Sequence, residues 1–111
     1  MAGKFVITKG KDNKFYFNLK AGNGEVILSS QGYKDKGGCL NGIESVKKNS
    51  QSKGRFEVKK SNDGKDYFVL TATNGQTIGK SQMYKSESGC SNGMKSVTNS
   101  AADASVADES D

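Results

Sequence analysis

Apolar positions along this chain change period, and the change happens twice. From Lys4 to Lys9, Phe5 and Ile7 alternate with Val6 and Thr8, the period-two pattern of a strand with one buried face. The polar stretch KGKDN follows, and a second strand begins near Lys14. It sets Phe17, Leu19 and Ala21 on one face and Tyr16 on the other. Asn23-Gly24 predicts a tight type I′ hairpin, because Asn-Gly tolerates the positive φ that both central residues of that turn require. A third strand is expected from Glu25 to Gln31 with Ile27 inward. Beyond Tyr33 the period lengthens. Cys39, Ile43 and Val46 fall at i, i+4 and i+7, one face of a helix ending near Lys48.

Displaced by fifty-one positions, the chain repeats itself without a gap, and about half the paired positions are identical. Phe56 and Val58 then pair with Phe5 and Ile7 as inward residues. Glu57 replaces Val6, which marks that face as wet. Phe68, Leu70 and Ala72 match the second strand, with Tyr67 opposite. Asn74-Gly75 matches the hairpin, Ile78 the third strand, and Cys90, Met94 and Val97 the helix. The pattern predicts an α+β fold of two tandem βββα repeats, residues 3–50 and 54–100, in a single domain spanning 1–111. One antiparallel sheet would carry two helices on one face, with interlocked halves related by a pseudo-twofold axis. A unit of about fifty residues is marginal by itself, so sharing one sheet is the expected solution. Residues 101–111, AADASVADESD, read as a mostly disordered acidic tail, with Val106 as the one candidate for an edge contact.

Gly42 and Gly93 stand inside the two helical stretches, where glycine costs about 1 kcal/mol against alanine. Their recurrence implies that the helix backbone approaches the sheet closely there. Asn23, Gly24, Asn74 and Gly75 read as turn residues.

Charge divides the chain. The net charge is +5. Residues 1–50 hold nine lysines against four carboxylates, residues 51–100 hold eight cations against four, and the tail is purely acidic. Histidine, tryptophan and proline are absent. Without histidine there is no Ser-His or Cys-His nucleophile pair, and two cysteines alone cannot form an ordinary four-ligand zinc site. No apolar run is long enough to span a bilayer, and the start of the chain lacks the apolar core of a secretory signal. Two cysteines in such a chain point to free thiols in the cytoplasm.

The combination of F-x-[IV], NGE-x-I, S-x-x-Y and G-x-NGI-x-S-V-K-K-N closely resembles the YegP-like proteins, a bacterial family of no established function. It is carried by Phe5, Ile7, Asn23, Gly24, Glu25, Ile27, Ser30, Tyr33, Asn41, Gly42, Ile43, Ser45 and Val46. The second copy departs with Gln76, Met94 and Thr98. The resemblance covers residues 3–100. It implies two βββα units building one sheet with exchanged C-terminal segments, and it implies no activity and no cofactor. The family commonly places a small residue where this chain has Cys39 and Cys90.

Three functional readings follow. The first is a small non-enzymatic binding or scaffolding protein, monomeric as an internal pseudo-dimer, with a protein partner. The second is weak, salt-dependent binding of nucleic acid or another polyanion, using Tyr16, Tyr67, Lys14 and Lys65 as aromatic and basic contacts. Only Arg55 offers bidentate geometry, which argues against base-specific readout. The third is thiol redox chemistry at Cys39 and Cys90, against which stands the ordinary packing role of buried cysteine. Tyr33 and Tyr84 recur beside Ser30, Gln31, Ser81 and Gln82. They offer either a small twofold-symmetric polar pocket or rings packed over the helix starts. Asp12 and Asp63 recur in turns without a second carboxylate, so acid–base catalysis is not expected.

Overall fold

Nine elements follow one another in the order the repeat predicts, with one addition at the end. The computed structural model describes residues 3–73, 75–102 and 104–110. Strands β1 (Lys4–Lys9), β2 (Phe15–Lys20) and β3 (Val26–Ser29) precede helix α1 (Lys36–Asn49). A short 3-10 turn leads into β4 (Phe56–Lys60), β5 (Asp66–Thr71) and β6 (Thr77–Lys80). Helix α2 (Glu87–Ala101) and strand β7 (Ser105–Asp108) complete the chain. The sheet order is β4-β5-β6-β3-β2-β1-β7. Apart from β7 it is a palindrome, with the pseudo-twofold between β3 and β6, where Ser29 pairs with Lys80. Every pairing is antiparallel except β7 on β1, which is parallel.

The halves interlock through their helices. Helix α1 rests on β2 of its own half and on β5 and β6 of the other, while α2 rests on β5 and on β1, β2 and β3. Phe5, Ile7, Phe17, Leu19, Ile27, Leu28, Ile43, Val46, Phe68, Leu70, Ile78 and Val97 therefore form one core. Neither half could bury its sheet face alone. The helix ends are tied as well. Thr98 Oγ1 donates to the Ser50 carbonyl at 2.9 Å, and Gln51 Nε2 donates to the Thr98 carbonyl at 3.0 Å.

The hairpin turns differ from the expected type I′ geometry. Among the described residues only Gly24, Gly64, Gly75 and Asn13 have positive φ. Gly24 N donates to the Ala21 carbonyl and Ala21 N to the Glu25 carbonyl, both at 2.9 Å. The loop thus holds three residues and ends in a left-handed G1 bulge. Glycine is needed at the last loop position, while Asn23 caps the turn by accepting from Glu25 N at 3.0 Å. The hairpins closed by Asn13, Gly64 and Gly75 show the same pair of bonds. Asn74 lies outside the described residues.

Each helix begins on an N-cap that the hydrophobic period did not reveal. Asp35 accepts from Gly38 N at 2.7 Å, and Ser86 accepts from Gly89 N at 3.1 Å. The helix then passes close to the hydroxyl end of a tyrosine side chain. A methyl group added at Gly42 would lie 2.8 Å from Tyr33 Cζ and 3.0 Å from a Phe17 ring carbon. At Gly93 the same methyl would lie 2.7 Å from Tyr84 Cζ. The close approach read from the repeated glycines is therefore an approach to a ring. At the pseudo-twofold the copies solve a different problem. Leu28 and its counterpart Gly79 stand near each other, and a methyl on Gly79 would meet the Leu28 side chain at 2.7–2.8 Å. One large and one small residue share that space.

Three expectations are corrected. Val6, expected on the wet face, is buried because β7 makes β1 an interior strand and sets Ala107 beside it. Val58, expected inward like Ile7, is 52% exposed because β4 is the outer strand and, among the described residues, no further strand covers it. The tail is not disordered between Ser105 and Asp108, where it pairs with β1 and places Asp108 2.7 Å from Lys36 Nζ.

Replacing Gly42 by alanine tests the ring contact. Helix propensity alone would stabilise the variant by about 1 kcal/mol. Overpacking against Tyr33 and Phe17 opposes this by about 1–3 kcal/mol. Urea unfolding is expected to show net destabilisation, partly relieved in the Gly42→Ala/Tyr33→Phe double variant.

Candidate functional site

The aromatic and basic residues singled out in the sequence do not converge. Tyr16 and Tyr67 project from the face opposite the helices, and both are half-buried. The Tyr16 hydroxyl donates to Asp12 at 2.7 Å, while Lys80 Nζ sits 4.9 Å above the Tyr67 ring. Lys14 and Lys65 are exposed, and Lys65 lies 3.8 Å from Asp63. Tyr33 and Tyr84 instead lie on the helix face, stacked on Phe17 and Phe68 at centroid distances of 6.2 and 6.3 Å. Burial holds both phenols above the ordinary tyrosine range.

Both thiols are buried and free. Cys39 is pushed up to about 11, first by burial and then by the nearby charge of Asp108. Cys90 is raised by burial and by Asp66. Each packs in the core as a small apolar group. Among the described residues no group of three or more His, Cys, Asp or Glu side chains could hold a metal ion.

Concave surfaces among the described residues offer other candidates. The first, of about 460 Å³, lies at the seam of β3 and β6 and is lined by Ser30, Gln31, Ser81 and Gln82 among others. It is the twofold-symmetric pocket the repeated residues implied, without the tyrosines. Two of its hydroxyls, those of Ser30 and Ser81, are already engaged. Ser30 Oγ accepts from Phe17 N and donates to the Gln31 carbonyl, and Ser81 Oγ repeats this with Phe68 N and Gln82. Gln82 Nε2 donates to Glu25 at 2.6 Å. These groups hold the strand ends together.

The second surface exists on one half only. A groove of about 600 Å³ runs between β4 and α2, lined by Phe56, Val58, Ser91, Met94 and Thr98. It continues past Val58 and Met94 toward Lys60, Asp66 and Glu87. On the first half the equivalent edge of β1 carries β7, and Phe5 and Ile7 there are fully buried. The outer edge of β4 is unpaired among the described residues. Sequence reasoning missed this site because the repeat made Val58 look like Ile7.

A palindromic sheet under two crossed-over helices defines a tandemly duplicated α+β protein. The sequence pattern described as Domain of unknown function (DUF1508) matches twice, at residues 11–57 and 61–108, and the chain belongs to that family. Each match runs from a β1–β2 type turn to the strand after its helix. The chain is 54% identical to the UPF0339 protein PA0329 of Pseudomonas aeruginosa, over 99% of this chain and 100% of that protein. It is 52% identical to a UPF0339 protein of Stutzerimonas stutzeri named for its place in a ptx operon 5′ region, over 96% of each. Two solution NMR structures share the fold. YegP of E. coli, a protein of unknown function, matches with a TM-score of 0.94 at 44% identity, covering 99% of this chain and 95% of that one. The UPF0339 protein SO3888 of Shewanella oneidensis matches with 0.91 at 44% identity, covering 97% and 92%.

The buried thiols make stability alkali-sensitive. A thiol ordinarily titrates near 9, and folded Cys39 is held near 11. As pH rises from 9 to 11 the unfolded chain loses its thiol protons first, so stability declines across that window. Urea midpoints are expected to fall between pH 8.5 and 11, and Cys39→Ala/Cys90→Ala should make the decline shallower.

Proposed function

We propose that this chain is a non-catalytic binding module, a cytoplasmic monomer that takes an extended segment of a partner protein along the open edge of β4. The observation that carries the reading is β7. The chain lays one strand of its own against β1, with Glu109 N donating to the Ile7 carbonyl at 2.8 Å, while the twin edge stays open. Strand addition of this kind draws affinity from main-chain hydrogen bonds and specificity from the flanking side-chain pockets. Phe56, Val58 and Met94 provide the apolar part of such a pocket. Glu57, Lys59 and Lys60 put charge on the edge, which discourages unselective pairing.

The polyanion reading has weaker support. Its two exposed-face tyrosines are engaged by Asp12 and Lys80. No helix among the described residues is long and apolar enough to cross a membrane, so no spanning helix supplies an alternative surface.

An acetylated, amidated peptide of sequence ASVAAES, the docked strand with Asp108 replaced by alanine, tests the reading by NMR titration. Amide shifts are expected at Phe56–Lys60 and on α2 near Ser91 and Met94. Absence of shifts at millimolar peptide overturns the reading. Saturable binding of single-stranded DNA or RNA at physiological salt, mapped to the Tyr16 face, overturns it in favour of polyanions.

A further inference from the structure

The docked strand on the first half shows what its twin site asks of a ligand. In the β1–β7 register Val106 lies beside Phe5 and Asp108 beside Ile7, so both point to the helix side of the sheet. Asp108 then reaches Lys36, in the first turn of α1, at 2.7 Å. Lys36 Nζ also stands 5.9 Å from the centre of the Phe15 ring. The corner that receives the strand thus holds Lys36, the Phe15 ring and Lys9, whose Nζ stands 5.6 Å from the centre of the same ring.

The repeat keeps the backbone of this corner and one of its cations, Lys60 in the place of Lys9, and exchanges its other two groups. Glu87 stands where Lys36 does, and Asp66 where Phe15 does. Both carboxylates line the groove beside Val58 and Met94. Asp66 is buried and pairs with Lys60, 3.7 Å away on a side chain 67% exposed. A strand laid over this corner would take two carboxylates further out of water, which is costly unless the strand brings a cation.

Resting on the reading of the groove as a strand-binding site, we infer that its ligand is a partner segment running parallel to β4, with an aliphatic residue beside Phe56 and a lysine or arginine beside Val58. The cation pairs with Glu87 and Asp66 as Asp108 pairs with Lys36, with the signs exchanged. The same inversion rejects the tail of a second copy, whose aspartate would face two carboxylates. An uncovered sheet edge is a template for self-association, and here the ligand-selecting charges also guard against it.

Three fluorescently labelled peptides separate the possibilities on the intact chain: ASVAKES, ASVAAES and ASVADES. Anisotropy is expected to rank them in that order, with the lysine peptide at least about fivefold tighter than the aspartate peptide at low salt, and the gap narrowing as salt rises. In the Glu87→Lys variant the order should invert. Glu87 is an exposed first-turn residue, so circular dichroism and urea unfolding will report whether that variant keeps its fold. Equal affinity for all three peptides, with shifts at β4, overturns the charge assignment and leaves the groove reading intact. No shifts at β4 or α2 with any peptide overturns both. Concentration-dependent association of the unmodified chain in sedimentation velocity, lost on removal of residues 104–111, overturns the exclusion of the tail.

Discussion

Each helix of this protein rests a glycine against the hydroxyl end of a tyrosine side chain, and the rest of the arrangement follows from that contact. The Tyr33 ring lies nearly parallel to Phe17, with 17° between planes, and Tyr84 lies within 9° of Phe68. The phenylalanine belongs to the middle strand of its half, so ring and sheet are fixed together. The backbone of Tyr33 is itself tied to Phe15 by two bonds of 2.8 Å, and that of Tyr84 to Asp66 by bonds of 2.7 and 3.0 Å. Glycine at 42 and 93 lets the helix backbone approach the phenol to a distance no other residue permits. Once that distance is set, the face carrying Ile43 and Val46 meets strands of both halves, and one core replaces two marginal ones.

Departures from the internal repeat fall where twofold symmetry makes a demand that identical residues cannot meet. At the centre, two copies of Leu28 would compete for one space, and Gly79 resolves this. At the margins, two identical edges would both need covering, and among the described residues a seventh strand covers just one of them. β7 goes to β1, where Lys36 receives Asp108 and holds its carboxyl well below the ordinary range, at about 2. The other edge carries Glu87 and Asp66 and stays open. The duplication thus produced a nearly symmetric scaffold with one completed and one uncompleted side.

That difference carries the functional argument. The sites expected from repeated residue types prove to be internal supports: the serines stitch strand ends, the tyrosines seat helices, and the cysteines fill core space. The open groove is assembled from residues that differ between the copies or are exposed in only one. The family's relatives and solved structures are themselves of unknown function, so the chemistry of this groove is the available guide.

Much of the architecture was legible in the sequence. A period of two yielding to 3.6, repeated fifty-one residues on, dictates two βββα units. Glycine inside a helix, twice, dictates a close approach there. These are local properties, set by how side chains alternate on a strand or wind around a helix. What the sequence could not determine was which strands would be interior. Burial of Val6 and exposure of Val58 depend on whether a further strand lies alongside, a fact about distant parts of the chain. The tail shows the same limit: SVAD is too short and polar to order itself, and becomes a strand because β1 offers unpaired backbone groups and Lys36 offers a partner for Asp108. The hairpins depart for a related reason, since Asn-Gly signals a tight turn but the cross-strand bonds choose its length. Local pattern named the elements. Tertiary structure, by supplying or withholding a neighbour, decided which surfaces were core and which edge was left free.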